Sequence, residues 1–214
     1  MTARDHSDGW GVVSYHRPKI KWLRRAVAAY DDDRFAQPID ASFAKTVVAS
    51  IRRASRSAFN DENCHPFMFG RWSFAHNGTL TAVETLRPAM LREMGPEFRK
   101  QIRGQTDIEL IFCWLLQRLQ ANKCINGDRC VRLAGMLSTF ADAVSELDAR
   151  NRETESASDT DRTAKLNFVL TNGNVLVGSR LRNSLYRLST QHDRPTGRPL
   201  VNLAIASEPT DSRR

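Results

Sequence analysis

Apolar and polar positions along this 214-residue chain change period several times. Extended patterns come first. Gly11 to Tyr15 (GVVSY) and Trp22 to Ala29 read as strands, and KTVVASIRRA (45–54) is β-branched enough for a buried one. Arg71 to His76 alternates toward another. Beyond Asn77-Gly78 the period turns helical through Leu80, Ala82, Val83 and Leu86. Thr81-x-x-Glu84 there has the form of a capping box, and Pro88 is expected to end or bend the helix. A second helix is predicted where Thr106-x-x-Glu109 again fits a capping box and Ile108, Ile111, Phe112, Leu115 and Leu119 follow at helical spacing.

A third helix is predicted over Arg129 to Ala149, with Val131, Leu133, Leu137, Phe140, Val144 and Leu147 inward. RNRETESASDTDR (150–162) is polar and without aromatics, so it reads as a loop. LNFVLTNGNVLVGS (166–179) predicts a hairpin with Asn172-Gly173 as its two-residue turn, and SLYRLS (184–189) and VNLAIAS (201–207) supply two more strands. Strands, then helices, then strands predict a mixed α+β fold with helices packed on antiparallel sheets.

That order also separates two Asn-Gly pairs. The pair at 172–173 joins two alternating segments, whereas Asn77-Gly78 falls between a strand and a helix, where free backbone N–H groups and a helix dipole could hold an anion.

Composition narrows the picture little. Length favours one domain, and no apolar run reaches the roughly 18 residues of a membrane helix. The N-terminus, MTARDHSDGWG, has no signal-peptide core, so the setting is read as cytoplasmic with no membrane partner. Cys64, Cys113, Cys124 and Cys130 form no CxxC pair and are read as free thiols, with Cys113 in the core. A net charge of +8 raises the question of a nucleic-acid partner. The basic residues are dense only in RPKIKWLRR (17–25) and RRASR (52–56), neither of which carries a nucleic-acid motif, so a solvated surface is preferred.

AHNG (75–78) joins HSDGWG (6–11), SIRRAS (50–55), ENCHPF (62–67), GQTDIE (104–109) and IASEP (205–209) in one ordered set. In order and spacing this set resembles the class II glutamine amidotransferases, through nearly the whole chain. Within them it is similar to stand-alone bacterial amidotransferase-like proteins, with the ergothioneine-pathway γ-glutamyl hydrolases a related branch. The resemblance implies one domain over 1–214 with the four-layer αββα fold of N-terminal-nucleophile hydrolases. It implies hydrolysis of glutamine or a γ-glutamyl amide through a γ-glutamyl thioester, releasing ammonia or an amine and requiring no metal or organic cofactor. A separate ammonia-accepting enzyme would be needed for any transfer.

By resemblance Arg52 binds the substrate carboxylate and Asp107, ionised at a helix start, its ammonium group, while Asn77 and Gly78 form the oxyanion hole. His6, His65 and His76 lack metal-ligand spacing and are read as structural histidines. The chain departs from the family pattern in beginning Met1-Thr2, without the N-terminal cysteine nucleophile or its strand, in carrying Ser50 where histidine is usual, and in ending soon after IASEP. Thr2 and Cys64 are read as bystanders. Two accounts remain open, an active enzyme whose sequence is shortened at both ends and a catalytically inactive binder of a γ-glutamyl or amino-acid ligand.

Overall fold

The computed structural model describes residues 6–16, 18–35, 44–52, 60–104, 106–154, 163–192 and 200–209. Strands β1 (Trp10–Tyr15), β2 (Ile20–Arg25) and β3 (Thr46–Ile51) form an antiparallel sheet of order β2-β1-β3. The central strand β1 is buried along its whole length because both its faces are covered. Trp10 and Val12 pack against two 3₁₀ turns, Ala29–Asp31 and Asp33–Phe35, where Trp10 meets Phe35 edge-on with ring centroids 5.2 Å apart. The second predicted strand, Trp22 to Ala29, therefore ends at Arg25, and Ala29 already belongs to a turn. β3 is an edge strand rather than a buried one, since only Val48 is buried and Val47 and Ile51 are exposed.

The remaining strands are β4 (Phe67–Phe69), β5 (Trp72–Thr79), β6 (Ile125–Asn126), β7 (Arg129–Cys130), β8 (Lys165–Thr171), β9 (Leu176–Ser179), β10 (Tyr186–His192) and β11 (Leu200–Ala206). A second antiparallel sheet has the order β4-β5-β8-β9, and β6-β7 and β10-β11 pair as separate ladders. The two large sheets face one another through Tyr15, whose hydroxyl lies 2.7 Å from Ser73 Oγ and 2.8 Å from Arg71 O. Burial pushes this phenol up to about 12, so it stays a neutral hydrogen-bonding strut.

Helices α1 (Val83–Glu93), α2 (Pro96–Arg99), α3 (Asp107–Ala121) and α4 (Leu133–Thr154) cover the other face of the four-stranded sheet. Phe74 of β5, Phe168 of β8 and Phe112 of α3 form the centre of that layer, with Phe74 stacked on Phe112 at 5.3 Å. α3 buries nine residues because α1, α2, α4 and β5 surround it. The α+β sandwich expected from the sequence is thus the observed one. No helix among the described residues is long and apolar enough to cross a membrane.

Several boundaries differ from expectation. Thr81 and Glu84 do not form a capping box, because the side-chain cap comes from α4. Asn151 Oδ1 accepts from Ala82 N at 2.9 Å, and Asn151 Nδ2 donates to Thr81 Oγ1. Pro88 does not end α1, which runs five residues beyond it. Residues 129–130 are strand, turned by Gly127-Asp128 with Gly127 at φ 53°, so α4 begins later than predicted. It also continues to Thr154 through the start of the supposed loop, of which 155–162 lie outside the described residues. α4 turns Met136, Phe140, Ala143 and Leu147 inward, leaving Val131, Leu133 and Leu137 exposed. The hairpin β8-β9 forms, but Thr171 pairs with Leu176, so its loop has four residues. Asn172 Oδ1 organises that loop by accepting from Asn174 N and Val175 N.

Candidate active site

Asn77 and Gly78 lie inside β5, where they pair with Asn167 and Leu166. The strand continues to Thr79 and the change to helix comes at Leu80–Ala82, so the expected strand-to-helix junction is displaced to the residues after this pair. The ladder itself orients the two residues. Leu166 N bonds to Leu181 O on the far side of β8, so by antiparallel alternation Gly78 turns its N–H away from β8, toward the edge where β4 has already ended. Asn77 shares a face with Ser73, which touches Tyr15 of the other sheet, and its side chain is exposed at the open end of the sandwich. Its carbonyl accepts from Asn183 Nδ2 at 3.1 Å. Only glycine fits at 78, because a Cβ there would run into Lys165 O and lie 2.8 Å from His76 Nε2.

Arg52 follows β3 and extends the first sheet beyond it. Its N–H donates to Gly9 O at 2.7 Å and its carbonyl accepts from Asp8 N, so the HSDG segment clamps the arginine backbone. The side chain is buried beside the Cys64 thiol and near enough for its charge to act on His65. Asp107 opens α3 and reaches back to β5, its Oδ2 accepting from Leu80 N at 2.9 Å. Thr106 caps α3 as predicted by accepting from Glu109 N. Glu109 does not return the bond to Thr106, and instead its Oε2 accepts from Arg103 N and Gly104 N to close the preceding loop.

Two imidazoles occupy the space between the Arg52 and Asp107 ends. His76 Nε2–H donates to Lys165 O at 2.8 Å, and the ring meets Phe168 edge-on at 4.8 Å. His65, which precedes Pro66 in a cis peptide, packs on Phe67. Burial holds both neutral. His65 is pushed down to about 3 by desolvation, with repulsion from any proton on His76 and from the Arg52 charge adding to it. His76 is pushed down by desolvation against the opposing pull of Asp107 and the Lys165 carbonyl. The Nδ1 atoms of both rings are buried without a hydrogen-bond partner.

Cys64 is fully buried, its thiol donating to Arg25 O at 3.4 Å. Desolvation raises its pKa even though Arg52 and Arg24 pull the other way. Burial and the raised pKa give it the character of a packed thiol. Thr2 lies outside the described residues. No group of three or more potential metal ligands occurs among the described residues.

The sequence marks His65 and His76 only as structural histidines. Missing from it were their position between Arg52 and Asp107, the bond from Asn183 and the tie from Asp107 to Leu80. Asn183 carried no signal, since nothing local distinguishes it from other loop asparagines.

Residues 1–195 match the family profile described as glutamine amidotransferases class-II. YafJ of Escherichia coli (strain K12), named provisionally as a glutamine amidotransferase, is 34% identical over 122 residues, 53% of this chain and 43% of its own. A similarly named Haemophilus influenzae protein is 28% identical over 187 residues, 85% of this chain and 54% of its own. The chain thus spans about half the length of these relatives. Among solved structures, the glutamine aminotransferase class-II domain protein from Silicibacter pomeroyi superposes with a TM-score of 0.64 at 21% identity. The match covers 92% of this chain and 80% of that one. The PRPP amidotransferase of B. subtilis superposes with a TM-score of 0.57 at 14% identity over 96% of this chain and 37% of its own.

Proposed function

This chain belongs to the class II glutamine amidotransferases, and from that premise we propose that it binds the glutamyl moiety of glutamine or a γ-glutamyl amide at the open end of its sandwich. Arg52 takes the α-carboxylate through its guanidinium fork and Asp107 takes the α-ammonium group. The Asn77 side chain and the Gly78 N–H donate to the oxygen that becomes negative when the side-chain amide is attacked, and loss of one such donor costs on the order of 10²- to 10³-fold in rate. The reaction its lineage implies is hydrolysis through a γ-glutamyl thioester formed on the thiol of an N-terminal cysteine, with ammonia or an amine leaving and water then cleaving the thioester. Met1-Thr2 of this sequence supplies no such thiol. A separate enzyme would receive the ammonia if it were transferred.

What supports this reading is convergence. Arg52 from the first sheet and Asp107 from α3 lie on either side of the neutral His65–His76 pair, beside the strand end that carries Asn77 and Gly78. Neutral imidazoles there leave the two opposite charges available to a zwitterionic ligand rather than neutralising either. A second reading, binding without turnover, is favoured by Cys64, which sits beside Arg52 but is buried with a raised pKa.

Titration calorimetry with glutamine, together with ammonia release, tests both. Saturable binding that Arg52→Lys weakens, because the fork is lost while the charge stays, supports the pocket. Unchanged affinity in Arg52→Lys and Asp107→Asn would show the pocket to be elsewhere. Binding with no ammonia release selects the second reading.

A further inference from the structure

We infer that the opposite end of the sheet sandwich carries a second site, one for a small phosphomonoester. A cavity of about 320 Å³ opens where β1 ends, with Tyr15 and Pro18 among its walls and His16, Lys45, Arg71 and Asn174 around it. Both sheets build it. Lys45 N donates to Tyr15 O at 3.0 Å and Thr46 Oγ1 to Gly173 O at 3.1 Å, which fixes the start of β3 against the β8-β9 turn. Arg71 lies just before β5 and lays its guanidinium 6.0 Å from the Tyr15 ring.

The charge of this cavity is one-sided. An ammonium, a guanidinium and an imidazole line it, and among the described residues no carboxylate does. Arg118, Arg150 and Arg182 elsewhere in the fold are each paired with an acid, yet neither Lys45 nor Arg71 forms an ion pair among the described residues. Lys45 Nζ donates to the neutral Asn174 Oδ1 at 3.2 Å, and Arg71 Nη1 reaches Pro18 O only at 3.3 Å. The nearby acid, Asp128, accepts from the Arg71 backbone N–H at 2.6 Å rather than from its side chain.

One guanidinium fork suffices for a carboxylate, whereas a fork plus a separate ammonium suits the greater charge and three oxygens of a phosphate. The cavity is also larger than a phosphate group needs. Pro18 and the aliphatic stems of Lys45 and Arg71 offer apolar wall to a small organic body, while Tyr15 is buried with its hydroxyl engaged with Ser73. β1 runs six residues between this end and the Arg52 end, so the two sites lie ~20 Å apart. The assignment does not rest on the glutamine site. A ligand here would tie β1, β3, β5 and the β8-β9 turn together and so raise the stability of the folded chain.

Glycerol 3-phosphate and inorganic phosphate, titrated calorimetrically and in thermal unfolding, test the site. Glycerol 3-phosphate is expected to bind saturably, to raise Tm with concentration, and to bind tighter than inorganic phosphate. Lys45→Glu, at an exposed position, should fold normally and weaken it at least about tenfold, as loss of a charge-assisted hydrogen bond does. Arg71→Lys should weaken it as well, and added glutamine should not compete. Absence of saturable binding, or unchanged affinity in Lys45→Glu, overturns the site. Equal affinity for inorganic phosphate overturns the apolar wall for an organic body. Tighter binding of a single-stranded oligonucleotide that Lys45→Glu leaves unaltered would assign the anion affinity to the general basic surface instead.

Discussion

Asp107 Oδ2 accepts a hydrogen bond from Leu80 N at 2.9 Å, joining the first residue of α3 to the chain two residues past Gly78. One carboxylate thus holds the end of β5 in place, and under the proposed function it would also present charge to a ligand. The tasks separate by substitution. Asp107→Asn keeps an acceptor for Leu80 N and removes the charge, so it should abolish glutamine binding with little change in urea midpoint. Asp107→Ala leaves the N–H of fully buried Leu80 without that partner, which should cost ~1–3 kcal/mol as well. Equal stability losses in the two variants would show that the Leu80 bond is not what Asp107 contributes.

Gly78 is required by space. A methyl group there would meet Lys165 O, a backbone atom that cannot move without disturbing β8, and His76 Nε2, which holds that same carbonyl. Gly78→Ala should destabilise by ~1–3 kcal/mol or more and displace the N–H proposed for the oxyanion hole. Gly127→Ala is the contrasting variant, since no heavy atom stands within 4 Å of a Cβ there and only its φ of 53° opposes the change. Thermal unfolding of the pair should therefore show the larger loss at 78.

Much of this architecture was legible in local pattern. α3 was readable because Thr106 supplies a side-chain cap and its apolar positions recur at helical spacing. α1 was misread at its start because its cap comes from Asn151, about seventy residues away, which no local pattern records. The short strand β7 falls inside the predicted helix because Val131 and Leu133 continue an apolar rhythm, although both are exposed. For the proposed site, Arg52, Asn77, Gly78 and Asp107 are named from motif order and the family resemblance it carries. The ladder parity that aims the Gly78 N–H, and the neutral imidazoles between the charged ends, depend on β5 pairing with β8 across almost ninety residues.

The buried imidazoles make the fold acid-sensitive. His65 has a folded-state pKa of about 3 against an ordinary 6.5, so below pH 6.5 the unfolded chain binds a proton that the native protein refuses. Stability from this group is complete above pH 6.5 and falls as pH drops from 6.5 toward 3, at up to ~1.4 kcal/mol per unit. Between pH 7 and 5 the loss should be about 2 kcal/mol from His65. His76, shifted in the same direction, adds to it, and the Arg52 charge beside His65 opposes protonation. Urea denaturation at the two pH values should show a smaller difference in His65→Gln than in the parent. An unchanged pH slope would mean that His65 is protonated in the native state.

The four cysteines should differ in reactivity according to burial, because the thiolate is the reacting species and must be reachable. Cys64, Cys113 and Cys124 are buried, and only Cys130, on β7, is partly exposed. Desolvation raises Cys113 to about 12 and also raises Cys64, despite Arg52 beside it. Native protein treated with iodoacetamide at pH 8 should therefore be modified first at Cys130, with Cys64 labelled only on unfolding. Peptide mass spectrometry reads the order directly. Rapid native labelling of Cys64, blocked by glutamine, would make it an accessible thiol within the pocket and reopen it as the attacking group.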